Sequence, residues 1–248
     1  MDNLFYFILL ALIAEILGTV GGFGSSLFFV PIAGFFFDFH SVLGITALFH
    51  LSSNISKIAL FRKGFDKKLV ITIGIPAVLF VILGSFLSRY FNSTILELCL
   101  SIFLIGISLS LMIFKNLKLK PTVFNAFTGG ALSGITAGLL GTGGAIRGLT
   151  LAAFDLNMEL FIATSAIIDL GIDLSRSVVY FSNGYMHRHD LYLIPILLVV
   201  SIVGTFLGKK IVLKFSQEQF KLIVLSLILV VGIITLLKLI SPSFFGLL

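Results

Sequence analysis

The chain has 248 residues, of which 58% are hydrophobic and only 11% are charged, and it carries a net charge of +6. Soluble domains carry about 25% charged residues, so this composition excludes one. The basic excess reads as loop charge that sets membrane topology, not as a nucleic-acid surface.

Crossing a hydrocarbon core of ~30 Å takes about 20 apolar residues per helix. The first apolar stretch, 4–37, follows Met1-Asp2-Asn3 and lacks the basic n-region of a signal peptide, so it is expected to stay in the membrane. A glycine cluster at 18–24 is expected to break it into two short helices, because glycine permits an unwound backbone. Apolar runs follow at 42–61, 69–87 and 95–114; the last holds the single cysteine, Cys99, which matches no disulfide or metal pattern. A basic segment, 115–121, ends in Pro121. Beyond it come a second broken stretch with glycines at 138–144 and runs at 160–181, 191–207 and 220–237. These runs are continuous where a membrane β-strand alternates, so they predict helices.

The two halves resemble each other at an offset of about 120 residues. Gly18-Thr19-Val20-Gly21-Gly22-Phe23-Gly24 recurs as Gly138-Leu139-Leu140-Gly141-Thr142-Gly143-Gly144. Asn54-Ile55-Ser56-Lys57 matches Asp173-Leu174-Ser175-Arg176, Pro76 matches Pro195, and Gly84-Ser85-Phe86-Leu87 matches Gly204-Thr205-Phe206-Leu207. The expected division is a first repeat over 1–116, a basic cytoplasmic linker over 117–121 and a second repeat over 122–248. If each broken stretch is a re-entrant hairpin, each half crosses three times and the repeats are inverted. If it is a single crossing, they are parallel. The hairpin topology puts Arg62, Lys63, Lys67, Lys68, Lys115, Lys118, Lys120, Lys209, Lys210, Lys214 and Lys221 on one side and Arg89, Arg188 and Lys238 on the other. That split of 11 to 3 exceeds the 9 to 5 of the alternative, and the positive-inside rule favours it. The predicted fold is therefore an all-α polytopic membrane protein with two inverted repeats, each a re-entrant hairpin plus three transmembrane helices. Both termini are expected outside the cytoplasm, in the inner membrane of the cell.

Paired broken helices in inverted repeats point to a transporter site at mid-membrane. A helix that restarts there presents unpaired N–H groups and the positive end of its dipole. Two such ends would bind an anion. The candidate substrate-binding residues are Gly21, Gly22, Gly24, Ser25, Gly141, Thr142, Gly143, Gly144 and Arg147. The competing role for the glycines is close helix packing. Arg147 stands in the first turn after the second break, where the first half has Leu27. Its fork suits a carboxylate, sulfonate or sulfite; its structural alternative is an ion pair with Glu15, Asp169 or Asp173. Thr46, His50, Asn54 and Lys57 share one helical face, and Thr164 or Ser165, Asp169, Asp173 and Arg176 occupy the matching positions. His50, Asn54, Asp169, Asp173 and Glu15 are candidates for proton coupling or for lining the pathway. Asp173 and Arg176 could equally neutralise each other, and Lys57 is expected to snorkel to the headgroups. Phe23, inside the first break, either lines the pore or packs.

The segments Gly21-Gly22-Phe23-Gly24-Ser25 and Gly141-Thr142-Gly143-Gly144, with Pro31 in the helix after the first, resemble the sulfite exporter TauE/SafE family of membrane permeases. The likeness runs from about Leu4 to Leu237. It implies transport of small, often sulfur-containing anions such as sulfite or sulfonates. Leu151 stands where the first half has Pro31, and Arg147 is added; both depart from the family's pattern.

The leading expectation is a secondary transporter of a small anion by alternating access. An anion channel of the same fold is the alternative. An intramembrane enzyme is disfavoured: there is no Gly-x-Ser-x-Gly or His-Glu-x-x-His motif, and His187 and His189 sit in a loop with Arg188 and Asp190. No ATP-binding loop appears. No cofactor or metal is expected. The expected partners are a small anion, protons as a coupling ion, and the lipid bilayer.

Overall fold

A computed structural model describes residues 2–22, 24–61, 64–114, 119–187, 192–212 and 217–240. Phe23, Arg62, Lys63, Lys115, Lys118, Arg188, His189, Asp190 and Lys214, and with them the first two residues of the linker, lie outside the described residues.

The described elements are helical. In chain order they are α1 (Asp2–Gly21), α2 (Ser26–Ala33), α3 (Phe39–Leu60), α4 (Lys67–Leu87), α5 (Ser93–Ile113), α6 (Val123–Leu140), α7 (Gly144–Ala152), α8 (Met158–Ser182), α9 (Leu193–Val212) and α10 (Gln217–Ile240). Six described spans are long and apolar enough to cross a membrane: Leu4–Gly21, Lys67–Tyr90, Ser93–Ile113, Val123–Leu140, Leu193–Ile211 and Leu222–Ile240. Helices α3 and α8 have the length, at 22 and 25 residues, but carry the polar stripes and fall short in apolarity. The outside of the bundle is apolar, with Phe124, Phe181 and Ile113 each about 70% exposed. Its inside holds Glu15, Lys57, Arg147, Asp173 and Arg176, all buried. Large apolar groups outward and ionisable groups inward suit lipid and would be untenable in water.

The arms before the breaks are longer than the sequence suggests. Gly18 and Gly21 stay helical, so α1 runs for 20 residues, and α6 runs for 18. Gly18 serves a close approach instead: a Cβ there would stand 2.2 Å from the Cα of Ser25. From that point α2 folds back along α1, and the Phe7 ring meets Phe29 at 5.9 Å and Phe37 at 5.1 Å. Helix α7 folds back along α6 in the same way. A Cβ on Gly143 would strike the Ser133 carbonyl oxygen at 2.1 Å, and one on Gly129 would strike Thr150 Oγ1 at the same distance.

Glycine also sets how the long helices pack. Along the α4–α6 seam, added Cβ atoms at Gly130, Gly134 and Gly138 would lie 2.3, 2.2 and 2.5 Å from the carbonyl oxygens of Ile73, Ala77 and Val81. This is small-xxx-small packing, with the two backbones nearly touching. Helices α1 and α9 repeat the arrangement. Gly84 faces Ile135 on one seam, and Gly204 faces Glu15 on the other.

Helices α3 and α8 run antiparallel. Gly44 of α3 abuts Tyr185 just past the end of α8, while Phe61 just past α3 clusters with Ile162 and Ala163 at the start of α8. Halfway along, Asn54 Nδ2 donates to Asp173 Oδ2 at 2.6 Å. Helices α5 and α10 are antiparallel too: Gly232 meets Leu104, and Lys238 reaches Glu97.

Candidate functional site

The two chain breaks meet inside the bundle. Gly22, Gly24 and Gly141 have φ of 70°, 83° and 75°, a left-handed backbone that side chains other than glycine rarely adopt. Gly141 closes α6 as its C-cap. Thr142 Oγ1, in the second break, donates to Ser26 Oγ at the start of α2, 3.0 Å away.

The helices divide by how they begin. Asp38, Asp66, Asn92, Thr122 and Asn157 each accept an N–H of the following helix, capping α3, α4, α5, α6 and α8. Helices α2 and α7 start inside the bundle at Ser25 and Gly143, and no side-chain cap bond is made there. Glycine has no acceptor to offer, and the Ser25 hydroxyl donates to Glu15 instead. The first N–H groups of both short helices therefore lack a side-chain acceptor and keep their partial positive charge.

Arg147 lies in the first turn of α7 and is buried. Its Nε donates to Ser165 Oγ at 3.0 Å, and its Nη1 pairs with Asp169 Oδ1 on α8. Its Nη2 points across to the first break, 3.7 Å from where a Cβ on Gly24 would be. Among the three carboxylates named as alternatives from sequence, Asp169 is thus the partner.

Arg176 braces the end of α6. Its Nη2 pairs with Asp173 Oδ1 at 2.7 Å, and its Nη1 donates to the carbonyls of Gly141 (2.8 Å) and Ala137 (3.2 Å). Tyr180 OH donates to Gly138 O at 2.8 Å. These donors satisfy carbonyls that α6 leaves open by ending inside the bundle, where each unsatisfied group is costly.

Glu15 has no exposed surface and accepts five donors. Ser25, Ser53, Thr205 and Thr19 hydroxyls reach it at 2.5, 2.5, 2.9 and 3.1 Å, and Lys57 Nζ at 3.1 Å. Lys57 also donates to Ser53 Oγ at 2.7 Å. The expectation that Lys57 snorkels is corrected by this: its ammonium turns inward because a fully buried carboxylate waits there, and it is only 6% exposed. His50 Nε2 lies 3.2 Å from Ser25 Oγ, tying the ring to the same cradle.

Two small cavities adjoin these groups. The central one is lined by Gly24, His50, Asn54, Gly144, Arg147 and Asp169. The second, which shares Gly24, Lys57 and Asp169 with it, is also lined by Gly18, Gly22 and Ser165. Gly141, Gly143 and Asp173 also line the central one. Gly21 ends α1, while Ser25 and Thr142 hold the tips through Glu15 and Ser26. Glu15 supports the tip from behind it. Sequence reasoning missed Ser53 and Thr205, whereas Ser165 stood among the positions of the second polar stripe. Ser53 stands one residue before Asn54, and Thr205 lies in an otherwise apolar stretch of α9; only their three-dimensional convergence on Glu15 marks them.

A helical bundle with an apolar exterior and a charged centre where two broken helices meet defines a multi-pass membrane protein. The family model described as "Sulfite exporter TauE/SafE" matches residues 7–235, and the chain belongs to that family of membrane transporters. A protein of Methanocaldococcus jannaschii named as a probable membrane transporter is 28% identical over 253 aligned positions, covering 93% of this chain and 94% of its own length. No solved structure matches the chain.

Proposed function

We propose that the protein is a secondary transporter of a small anion, a sulfur-containing one such as sulfite or an organosulfonate, working by alternating access. The observation that carries this reading is the convergence of two uncapped helix starts beside the guanidinium of Arg147. Backbone N–H groups, two dipole ends and a planar fork suit an anion with several oxygens. Gly22, Gly24, Gly141, Gly143 and Gly144 shape the site, and His50, Asn54, Asp169 and Asp173 line the way to it.

In this reading residues 1–116 and 122–248 are inverted repeats joined by a cytoplasmic linker, and the termini lie outside. The matched contacts Gly84–Ile135 and Gly204–Glu15 support the repeat. Inversion is supported by the antiparallel run of α3 against α8, since these helices match each other in sequence. A two-fold axis through such a pair brings equivalent residues into contact, as Asn54 and Asp173 are. Rocking of the hairpins about that axis would alternate access.

Uptake of labelled sulfite and isethionate into proteoliposomes tests the function. Arg147→Ala is expected to lower uptake by at least about tenfold, the loss of one charge-assisted hydrogen bond. Unchanged uptake removes Arg147 from the site. Saturable flux supports a carrier; single-channel currents would favour the channel reading.

A further inference from the structure

The charges around the cavity balance. Three cations, Lys57, Arg147 and Arg176, pair with three carboxylates, Glu15, Asp169 and Asp173. An anion that enters this neutral cluster adds an unmatched charge at membrane depth, which is expensive. Charge balance returns if a proton enters with it.

The surroundings select the group that takes the proton. Glu15 is fully buried and held by five donors. Asp173 is held by Asn54 and by Arg176, which is itself fixed on the α6 carbonyls. His50, if protonated, would place a fourth positive charge among Arg176, Lys57 and Arg147. Asp169 differs from all of these. Its side chain is 15% exposed, against 0% for Glu15 and 2% for Asp173. It lines both small cavities, and its ion-pair partner is Arg147.

We infer that the anion and Asp169 compete for Arg147, so that each monovalent anion bound is accompanied by one proton on Asp169, making the protein an electroneutral proton–anion symporter. This rests on the anion site proposed above. Arg147 Nε is engaged by Ser165 and Nη2 already faces the first break. A bidentate anion bridging Nη1 and Nη2 takes Nη1 from Asp169. The freed carboxylate, left among apolar and paired neighbours, binds the proton at the oxygen that had faced the guanidinium. Reversal releases anion and proton together.

Methanesulfonate is the probe, because its charge is constant across the useful pH range. Its binding to purified protein is measured by calorimetry from mildly acidic to neutral pH. Wild type is expected to lose about tenfold in affinity per pH unit, with one proton taken up per anion. Asp169→Asn, with Arg147 permanently released, is expected to bind at neutral pH with no such slope. Wild-type uptake into proteoliposomes should acidify the lumen and ignore an imposed membrane potential.

Wild-type binding with no pH slope overturns the coupling and leaves the anion site standing. A variant that keeps the wild-type slope overturns the choice of Asp169. No binding to either form of the protein, for methanesulfonate and sulfite alike, removes the anion site and the coupling with it. Should Asp169→Asn fail to fold, lumenal acidification by the wild type decides the coupling alone.

Discussion

Breaking the Glu15–Lys57 pair should be among the costliest single changes in the molecule, and the two partners should not cost the same. Removing one member of a buried ion pair costs about 3–5 kcal/mol, because the other charge is stranded. Lys57→Met leaves Glu15 with its four hydroxyl donors, at 2.5 to 3.1 Å, which still stabilise the carboxylate. Its cost should sit near the low end, about 3 kcal/mol. Glu15→Ala strands the Lys57 ammonium and also leaves four hydroxyls from α1, the first break, α3 and α9 without their shared acceptor. Its cost should reach the high end, about 5 kcal/mol. The double variant Glu15→Gln/Lys57→Met removes both charges and should cost less than Glu15→Ala alone. A coupling energy of about 3 kcal/mol is expected from the cycle built on Glu15→Gln and Lys57→Met. The assay is reversible unfolding in mixed detergent–denaturant micelles, followed by circular dichroism. Single variants that each cost under about 1 kcal/mol, with an additive double, would refute the account of the cradle.

Three further outcomes follow from particular contacts. Gly134→Val should destabilise by at least about 2 kcal/mol, because its Cβ would meet the Ala77 carbonyl at 2.2 Å, whereas Gly106→Ala, with nothing within 4 Å, should be near neutral; thermal unfolding of the two compares them. Tyr180→Phe removes the hydroxyl that donates to Gly138 O and should cost about 1–2 kcal/mol in the same assay. Asp38 caps α3 at the bundle's rim; burial pushes its carboxyl up, but Ser93, Ser41 and His40 outweigh this and hold it below the usual 3.8. Its contribution is thus present above that value and fades as pH falls through the lowered one, so Asp38→Asn should cost about 1 kcal/mol at neutral pH and less in strong acid.

The helical runs were legible because lipid demands about 20 apolar residues and leaves a plain signal. The runs at 42–61 and 69–87 fall on α3 and α4 to within a few residues at each end. Less legible was which glycines break a helix. Gly18, Gly21, Gly22 and Gly24 look alike in sequence, yet Gly22 and Gly24 take a left-handed backbone while Gly18 stays helical. What separates them is the neighbour: Gly18 is needed where Ser25 returns against it, a contact fixed only when α2 folds back. Lys57 was misread for a related reason. Near a helix end the headgroups are the cheap destination, and only the position of Glu15 on another helix makes the interior cheaper.

Under the proposed repeat, each hairpin carries one ionisable residue that the other lacks. Glu15 matches Ile135, and Arg147 matches Leu27. Gly84 packs against the Ile135 backbone carbonyl and Gly204 against the Glu15 side chain, so a glycine meets this position in both seams, whether the residue there is aliphatic or acidic. Leu27 is fully buried in the hydrophobic core, which shows that the matching place in a short helix can likewise be filled by an apolar side chain. Each charge is therefore particular to its own hairpin and not a requirement of the repeated packing. Their roles differ by where they lie: Glu15 ties the first tip to α3 and α9 from behind, while Arg147 faces the cavity with Nη2 turned to the first break. One hairpin is thus pinned and the other is armed. Under the proposed function that division has a purpose: the group that would meet the anion must be free to change partners while its surroundings hold still.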